Sequence, residues 1–257
     1  KLTRANQTLT EENQHLKNEI RTQRWSADEI NFLKNVIVHN VAHELRTPLL
    51  QVKSAVSLLA EDAGNTAVLI ELAERATTRL EAVVKNITLL NDLLKESMED
   101  RSLEAVVLKD VIESAIRNLR RSWEHKGNVE RIKLQLPENL PAVMGDKQRL
   151  VIALQLLIDN ALKFSSGTVE VTFRKTEERK VNITIRDHGI GIPKDKIEKI
   201  FDLFYQVDAS STRPYNGLGI GLTIVRFILN RHNTQIMIDT EESKGSAFSF
   251  ALSIAKV

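Results

Sequence analysis

No cysteine occurs in the 257 residues, so a disulfide framework and a thiolate site are both excluded. That suits a reducing compartment, and a cytoplasmic location is the expectation. Excess charge of one sign is also missing. Lys and Arg number 36 against 34 Asp and Glu, a net +2, which leaves no electrostatic footprint for nucleic acid or for an acidic surface. No apolar run approaches the roughly 18 residues of a membrane span, and the stretch from Leu150 to Ile158 is broken by Gln155. No signal-peptide pattern opens the chain, and Lys1 rather than Met stands first. The expectation is a fragment whose upstream region is missing, with any membrane attachment lying in that region. What is present suffices for a packed core, at 42% hydrophobic residues, and the length gives room for about two domains.

Leu2, Leu9 and Leu16 recur every seventh residue, and Asn6, Asn13 and Ile20 fall four after each. A heptad with leucine at d and mostly asparagine at a favours a parallel two-stranded coiled coil in fixed register, so residues 1–28 are read as a signalling coiled coil. Residues 29–98 follow as a helical hairpin. Pro48 should bend its first helix by removing a backbone donor. That helix resumes through Val52, Ala55, Val56 and Leu59, and Gly64 and Thr66 are a candidate C-cap and N-cap. Leu69, Leu72, Ala76, Leu80, Val83, Ile87, Leu90 and Leu94 then form a stripe at helical spacing. One hairpin cannot enclose so wide a stripe, whereas two can, as a four-helix bundle across a twofold axis. The chain is therefore read as a homodimer.

A linker is expected at 99–108 and a second domain at 109–257. Helices are predicted over Val111–Glu124, Asp146–Phe164 and about Leu218–His232. Strands are predicted over Arg131–Leu136, Thr168–Thr176, Val181–Asp187, Gln235–Thr240 and Ser246–Ile254. The fold class is α plus α/β: a coiled coil leading into a dimeric four-helix bundle, then a two-layer α/β sandwich with helices on one face of a sheet.

The stretch VAHELRTPL (41 to 49) sets His43 beside Glu44 on a helix, with Thr47 one turn on. A histidine next to a carboxylate says little alone. Downstream, however, come IDNALKF (158 to 164), DHGIGIP (187 to 193), GLGIGL (217 to 222) and KGSAF (244 to 248), in that order. Asp187 ends a strand beside Gly189 and Gly191, where a carboxylate can accept from an exocyclic amine while the backbone closes over a flat ring. An ordinary Asp-Gly turn reads the same way. Asn160 offers an amide oxygen to Mg²⁺, and Lys163 an ammonium to phosphate; a polar helix face is the plainer reading. Gly217, Gly219 and Gly221 open a helix whose free N–H groups and dipole can receive phosphate. Each motif is weak by itself, and the order is what makes the set specific.

Taken together, these motifs make the chain resemble the catalytic core of a sensor histidine kinase of two-component signalling, over nearly its whole length. The resemblance implies a dimerisation and histidine-phosphotransfer domain followed by a GHKL-type ATP-binding domain. VAHELRTPL resembles the H box, LQLLIDNALKFS the N box, DHGIGIP and GLGIGL the two glycine boxes, and FDLFYQVD the F box. His43 is then the phosphoacceptor, Asn160 the Mg²⁺ ligand and Asp187 the adenine anchor. Lys163 and the glycines of 217 to 221 contact phosphate, Phe164 lies beside the base, and Phe201 and Phe204 seat an ATP lid running to about Asn216. The implied partner is a response regulator, to whose aspartate the phosphoryl group passes. Thr47 would position water for the reverse, phosphatase reaction, although a hydroxyl satisfied within the helix fits its spacing equally well.

Two positions depart from the family pattern. Leu156 stands where the N box often has a further asparagine, and Gln206 where the F box often has arginine; Arg213 in the lid is a candidate substitute. These departures support one alternative, a dimeric scaffold with weak catalysis. Another is an ATP-gated conformational machine that releases phosphate without labelling itself. A zinc-protease reading of the His43 segment fails because Thr47 stands where its second histidine belongs. His15, His125, His188 and His232 are expected on the surface or in turns, and Arg117, Arg120 and Arg121 on a solvated helix face.

Overall fold

The computed structural model describes residues 41–42, 44–61, 65–95, 103–121, 128–207 and 219–255. Contacts divide the chain into two units, Lys1–Ser97 and Met98–Val257. The heptad segment with Asn6 and Asn13, the acceptor candidate His43, and Gly64, Arg213 and Gly217 all lie outside the described residues.

In the first unit, residues 44–60 form helix α1 and Thr66–Lys95 helix α2. The helix continues across Pro48, which is buried, although proline has no N–H to offer the preceding turn. Thr66 is the first helical residue of α2 and not its cap. The position before it is Asn65, at φ 97°, whose carbonyl accepts from Val68 N–H at 3.0 Å and Leu69 N–H at 3.3 Å. Asparagine tolerates this left-handed backbone better than most residues. Ala55, Ala76 and Val83 are buried, yet Leu49, Leu50, Val56, Val68, Ile70 and Val84 are exposed. The single chain therefore leaves much of the apolar surface of its hairpin uncovered.

The second unit begins with strand β1 (Glu104–Val106) and helix α3 (Leu108–Arg121). Strand β1 pairs antiparallel with β3 (Val143–Gly145), forming a small sheet that the sequence reading missed; β1 lies within the stretch read as linker. Strands β2 (Ile132–Gln135), β4 (Val169–Lys175), β5 (Lys180–Arg186), β6 (Met237–Glu241) and β7 (Gly245–Ser253) form a five-stranded sheet in the order β2-β4-β5-β7-β6. The β2–β4 pair is parallel and the other pairs are antiparallel.

Alternation along the strands decides which face is covered. Val169, Val171 and Phe173 of β4, Val181, Ile183 and Ile185 of β5, and Phe248, Phe250 and Leu252 of β7 are buried together. Against them lie Val111, Ile112, Ala115 and Leu119 of α3, Leu150, Leu154, Leu157, Ile158 and Leu162 of helix α4 (Lys147–Phe164), and Val225 and Leu229 of helix α5 (Gly221–Arg231). Spacings of three and four put each helical set on one stripe. The result is the expected two-layer α/β arrangement. Each fully buried Leu or Phe contributes about 1.5–3 kcal/mol, so this layer fixes α4 and β5, the two elements that carry the nucleotide motifs.

Candidate functional site

Helix α4 is started firmly. Asp146 stands at its N-cap and accepts from Arg149 N–H at 3.1 Å, satisfying one of the orphan donors of the first turn. Asp146 is held in turn by His232, whose Nε2 accepts the Asp146 N–H at 2.9 Å while Nδ1 donates to the Ile228 carbonyl at 2.8 Å. His232 lies in the turn that ends α5, one of the two places expected for it, but it is buried there and not at the surface, at 6% exposed. Burial lowers its pKa below the usual histidine value, and the two bonds require the neutral ring protonated on Nδ1. His188 is exposed, as expected, and so are Arg117, Arg120 and Arg121.

The far end of α4 carries the chemistry. Asn160 is half-buried, and among the described residues no hydrogen bond occupies its side chain. Lys163, one turn on, pairs with Asp159 at 2.8 Å. Phe164 ends the helix and is 42% exposed. Mg²⁺ dehydrates reluctantly and usually takes one or two protein oxygens together with water and phosphate. The Asn160 amide fits such a site, whereas no group of three or more His, Cys, Asp or Glu that could cage a metal occurs among the described residues.

Asp187 follows β5 directly. It is 6% exposed, its Oδ1 accepts from Gly189 N–H at 2.8 Å, and its own N–H donates to the Ser246 carbonyl at 2.8 Å. Burial raises its pKa above the usual carboxylate value, against the lowering influence of the Gly189 and Ser246 backbone on the carboxylate and of the His188 and Arg186 charges. A carboxylate that is desolvated and partly unsatisfied is disposed to accept a further hydrogen bond.

The glycines are needed because backbone passes close to backbone. A Cβ on Gly189 would stand 2.0 Å from the Phe164 carbonyl oxygen, which accepts from Ile190 N–H at 3.2 Å. Gly191, at φ +67°, lies against the Glu241 carbonyl. The same loop is tied to the β6–β7 hairpin, since Ile192 N–H donates to Thr240 Oγ1 at 3.0 Å and Ser243 N–H to the Ile190 carbonyl at 2.7 Å. Thr240 Oγ1 also bonds the Gly245 carbonyl at 3.1 Å and Ser246 Oγ at 2.9 Å. Asp187 and its loop thus sit between the end of α4 and the last hairpin.

The F box is tied to α5, while the lid expected beyond it, at 208–218, lies outside the described residues. Phe201 is buried beneath Arg226, whose guanidinium carbon lies 5.4 Å from the ring centroid, and its carbonyl accepts from the buried Thr223 hydroxyl at 2.7 Å. Phe204 N–H donates to the Gly219 carbonyl at 3.0 Å. Gly219 and Gly221 bring the chain into α5, and among the described residues no side chain caps its first turn, whose N–H groups could receive an anion. Leu156, one of the departures, packs partly buried within the core and faces Gly221.

In the first unit, Glu44 is partly buried and its Oε2 accepts from Arg79 Nη2 at 3.1 Å, while Thr47 is exposed. Arg79, Thr240, Ser246 and Thr223 escaped the sequence reading. For Thr240 and Ser246 the one available signal was a polar side chain at an alternating strand position. For Arg79, whose partner is 35 residues away, there was none.

The His Kinase A (phospho-acceptor) domain model matches residues 33–96, and the model for the Histidine kinase-, DNA gyrase B-, and HSP90-like ATPase matches residues 145–256. The sensor histidine kinase WalK of Bacillus subtilis is 34% identical over 227 residues. The chain belongs to the sensor histidine kinases. The WalK match covers 84% of this chain and 36% of that protein. The uncharacterized sensor-like histidine kinase ycf26 of Pyropia yezoensis is 33% identical over 247 residues, covering 89% of this chain and 37% of that protein. The chain therefore spans little more than a third of the length of these relatives. Among solved structures, the histidine kinase ThkA in complex with the response regulator protein TrrA shares the fold at TM-score 0.68 and 20% identity, covering 92% of this chain and 66% of that chain. No helix among the described residues is long and apolar enough to cross a membrane.

Proposed function

We propose that the chain is the catalytic core of an ATP-dependent protein-histidine kinase that phosphorylates itself on His43 and passes the phosphoryl group to an aspartate of a response regulator. The observation that carries this reading is Asp187, a buried carboxylate fixed by Gly189 at 2.8 Å, in a loop bonded to the end of the helix bearing Asn160 and Phe164. An exocyclic amine on a flat base would give this carboxylate a further donor. Phe164 offers its ring to that base, and the uncapped start of α5 receives phosphates.

In the transfer, a ring nitrogen of His43 attacks the γ-phosphorus, the N–P bond forms, and the P–O bond to ADP breaks. The proton on the other ring nitrogen passes to Glu44, acting as general base. Arg79 holds one Glu44 oxygen, so the carboxylate is oriented before the imidazole needs it. Mg²⁺ held at Asn160 would neutralise charge on the transferring phosphoryl group. The reading extends to the phosphatase direction, in which Thr47, exposed on α1, would act on a docked partner. ThkA was solved with a response regulator, and a partner of that class is proposed here. A homodimer is proposed because the hairpin leaves Leu49, Val56, Val68 and Val84 uncovered.

Incubation of the intact chain with γ-labelled ATP and Mg²⁺ tests the reading. Acid-labile, alkali-stable label should appear, vanish in His43→Ala, and fall at least about tenfold in Asn160→Ala. His43→Ala should bind ATP as the parent does. Label retained in that variant would remove His43 as the acceptor. ATP binding without label would favour the scaffold, and free phosphate without label the conformational machine.

A further inference from the structure

We propose that Arg131 is a positioning residue for the base end of the nucleotide site, acting through the C-terminus of α4. The proposal rests on the nucleotide reading above. Arg131 closes the short 3₁₀ turn Asn128–Arg131 just before β2, far in sequence from every motif. Its guanidinium reaches the end of α4 and donates three hydrogen bonds, from Nη2 to the Leu162 carbonyl at 2.8 Å and from Nη1 to the Ser165 and Gly167 carbonyls, each at 2.9 Å. These carbonyls lie where the helix has run out of intrahelical donors, and a cation there also meets the negative end of the helix dipole. The planar fork holds three acceptors at once, which an ammonium on a flexible stem does not reproduce.

Within this bracketed segment stands Phe164. Its side chain is the candidate ring beside the base, and its carbonyl accepts from Ile190 N–H at 3.2 Å. Gly189 packs against that same carbonyl so closely that a Cβ would stand 2.0 Å away, and the Gly189 N–H holds Asp187 Oδ1 at 2.8 Å. A continuous path therefore runs from the Arg131 guanidinium through the Phe164 peptide to the Asp187 carboxylate. Among the described residues Arg131 Nε is buried without a hydrogen-bond partner and no ion pair to Arg131 is found, so the three carbonyl contacts are what hold the side chain there. If the guanidinium is lost, the Phe164 carbonyl should shift, and with it the carboxylate that distinguishes an amine from a carbonyl on the base.

The intact chain is compared as wild type, Arg131→Met and Arg131→Lys by measuring ATP and GTP dissociation constants and saturating autophosphorylation rates, well below the melting temperature. Arg131→Met should weaken ATP binding about tenfold, as expected for loss of charged hydrogen bonds. It should also reduce the preference for ATP over GTP, while the saturating rate changes less than about twofold. Arg131→Lys should recover part of the affinity and of the preference. If Arg131→Met does not fold, the lysine variant decides: its ATP affinity should still fall about threefold, together with base preference. An unchanged ATP-to-GTP preference in a folded variant, even one that melts earlier, would overturn the proposal and leave Arg131 as a helix cap. A wild-type chain that binds neither nucleotide would instead remove the underlying nucleotide reading.

Discussion

Asp187 meets two opposed demands. In the proposed function it stays ionised to accept from a base amine, yet burial holds its pKa above the usual carboxylate value. A raised folded-state pKa means that the folded chain binds this proton more tightly than the unfolded chain. Stability is therefore lost as pH rises from the ordinary carboxylate range through the raised value. Asp187→Asn keeps an acceptor for Gly189 N–H but carries no charge. It should melt above the parent at neutral pH, with the gain disappearing toward about pH 4, while ATP affinity falls at least about tenfold. Melting curves across that range and a nucleotide titration check both arms. A variant no more stable than the parent at neutral pH would mean that the carboxylate is not desolvated. His232 carries the opposite sign: its lowered pKa gives stability above the usual histidine value that is lost as pH falls below it.

The residues of the candidate site were legible because chemistry demands particular types at particular spacings. Asn160, Phe164, Asp187 and Gly189 all occupy the end of α4 or the adjoining loop. Residues that support them were not legible. His232 looks like a surface histidine until the Asp146 N–H, 86 residues away, is found bonded to its ring. Arg131 and Arg79 likewise act on partners more than 30 residues distant, and no local pattern encodes such pairings.

At the scale of elements, periodic segments were readable, down to the four residues of β2, and the two three-residue strands were not. Helix α4 and strands β4, β5 and β7 fall within a residue or two of their predicted bounds, because each carries a sustained apolar period. Strands β1 and β3, three residues each, are too short to show alternation, and their pairing is set by tertiary contact. The loop after β5 depends on the last hairpin more than on its own residues. Thr240 Oγ1 accepts from Ile192 N–H at 3.0 Å and bonds the Gly245 carbonyl at 3.1 Å. Thr240→Val preserves shape and removes both of these bonds and the one to Ser246 Oγ, leaving a partly buried N–H without an acceptor. The expected cost is about 1–3 kcal/mol, or roughly 2–8 °C in melting temperature, with weaker ATP binding and little change in saturating rate. A melting temperature and ATP affinity equal to the parent's would show that the loop holds its form without the hairpin.

At the scale of the whole molecule, the first unit does not finish its own core. Ala55, Ala76 and Val83 are buried, but Leu49, Leu50, Val56, Val68, Ile70, Leu72 and Val84 are left exposed along two helices. Scattered single apolar residues need no explanation, whereas a run of them along a hairpin marks an interaction surface. The hydrophobic effect then favours burial against a second apolar hairpin, and an identical one across a twofold axis is the commonest solution. Leu72 lies on the stripe that continues through Ala76, Leu80, Val83 and Ile87, and Val84 is its exposed neighbour. Replacing Leu72 and Val84 together with glutamate places charge where a partner's apolar surface would lie, without touching the buried Ala76 or Val83. The intact chain should sediment as a dimer at micromolar concentration. The double variant should dissociate at least about tenfold more readily, since each buried charge without a partner costs more than the factor of ten that 1.4 kcal/mol represents. Nucleotide binding, which belongs to the second unit, should be unchanged in the variant. A parent chain that sediments as a monomer, or a double variant that dimerises as the parent does, would show that this surface serves something other than a second copy.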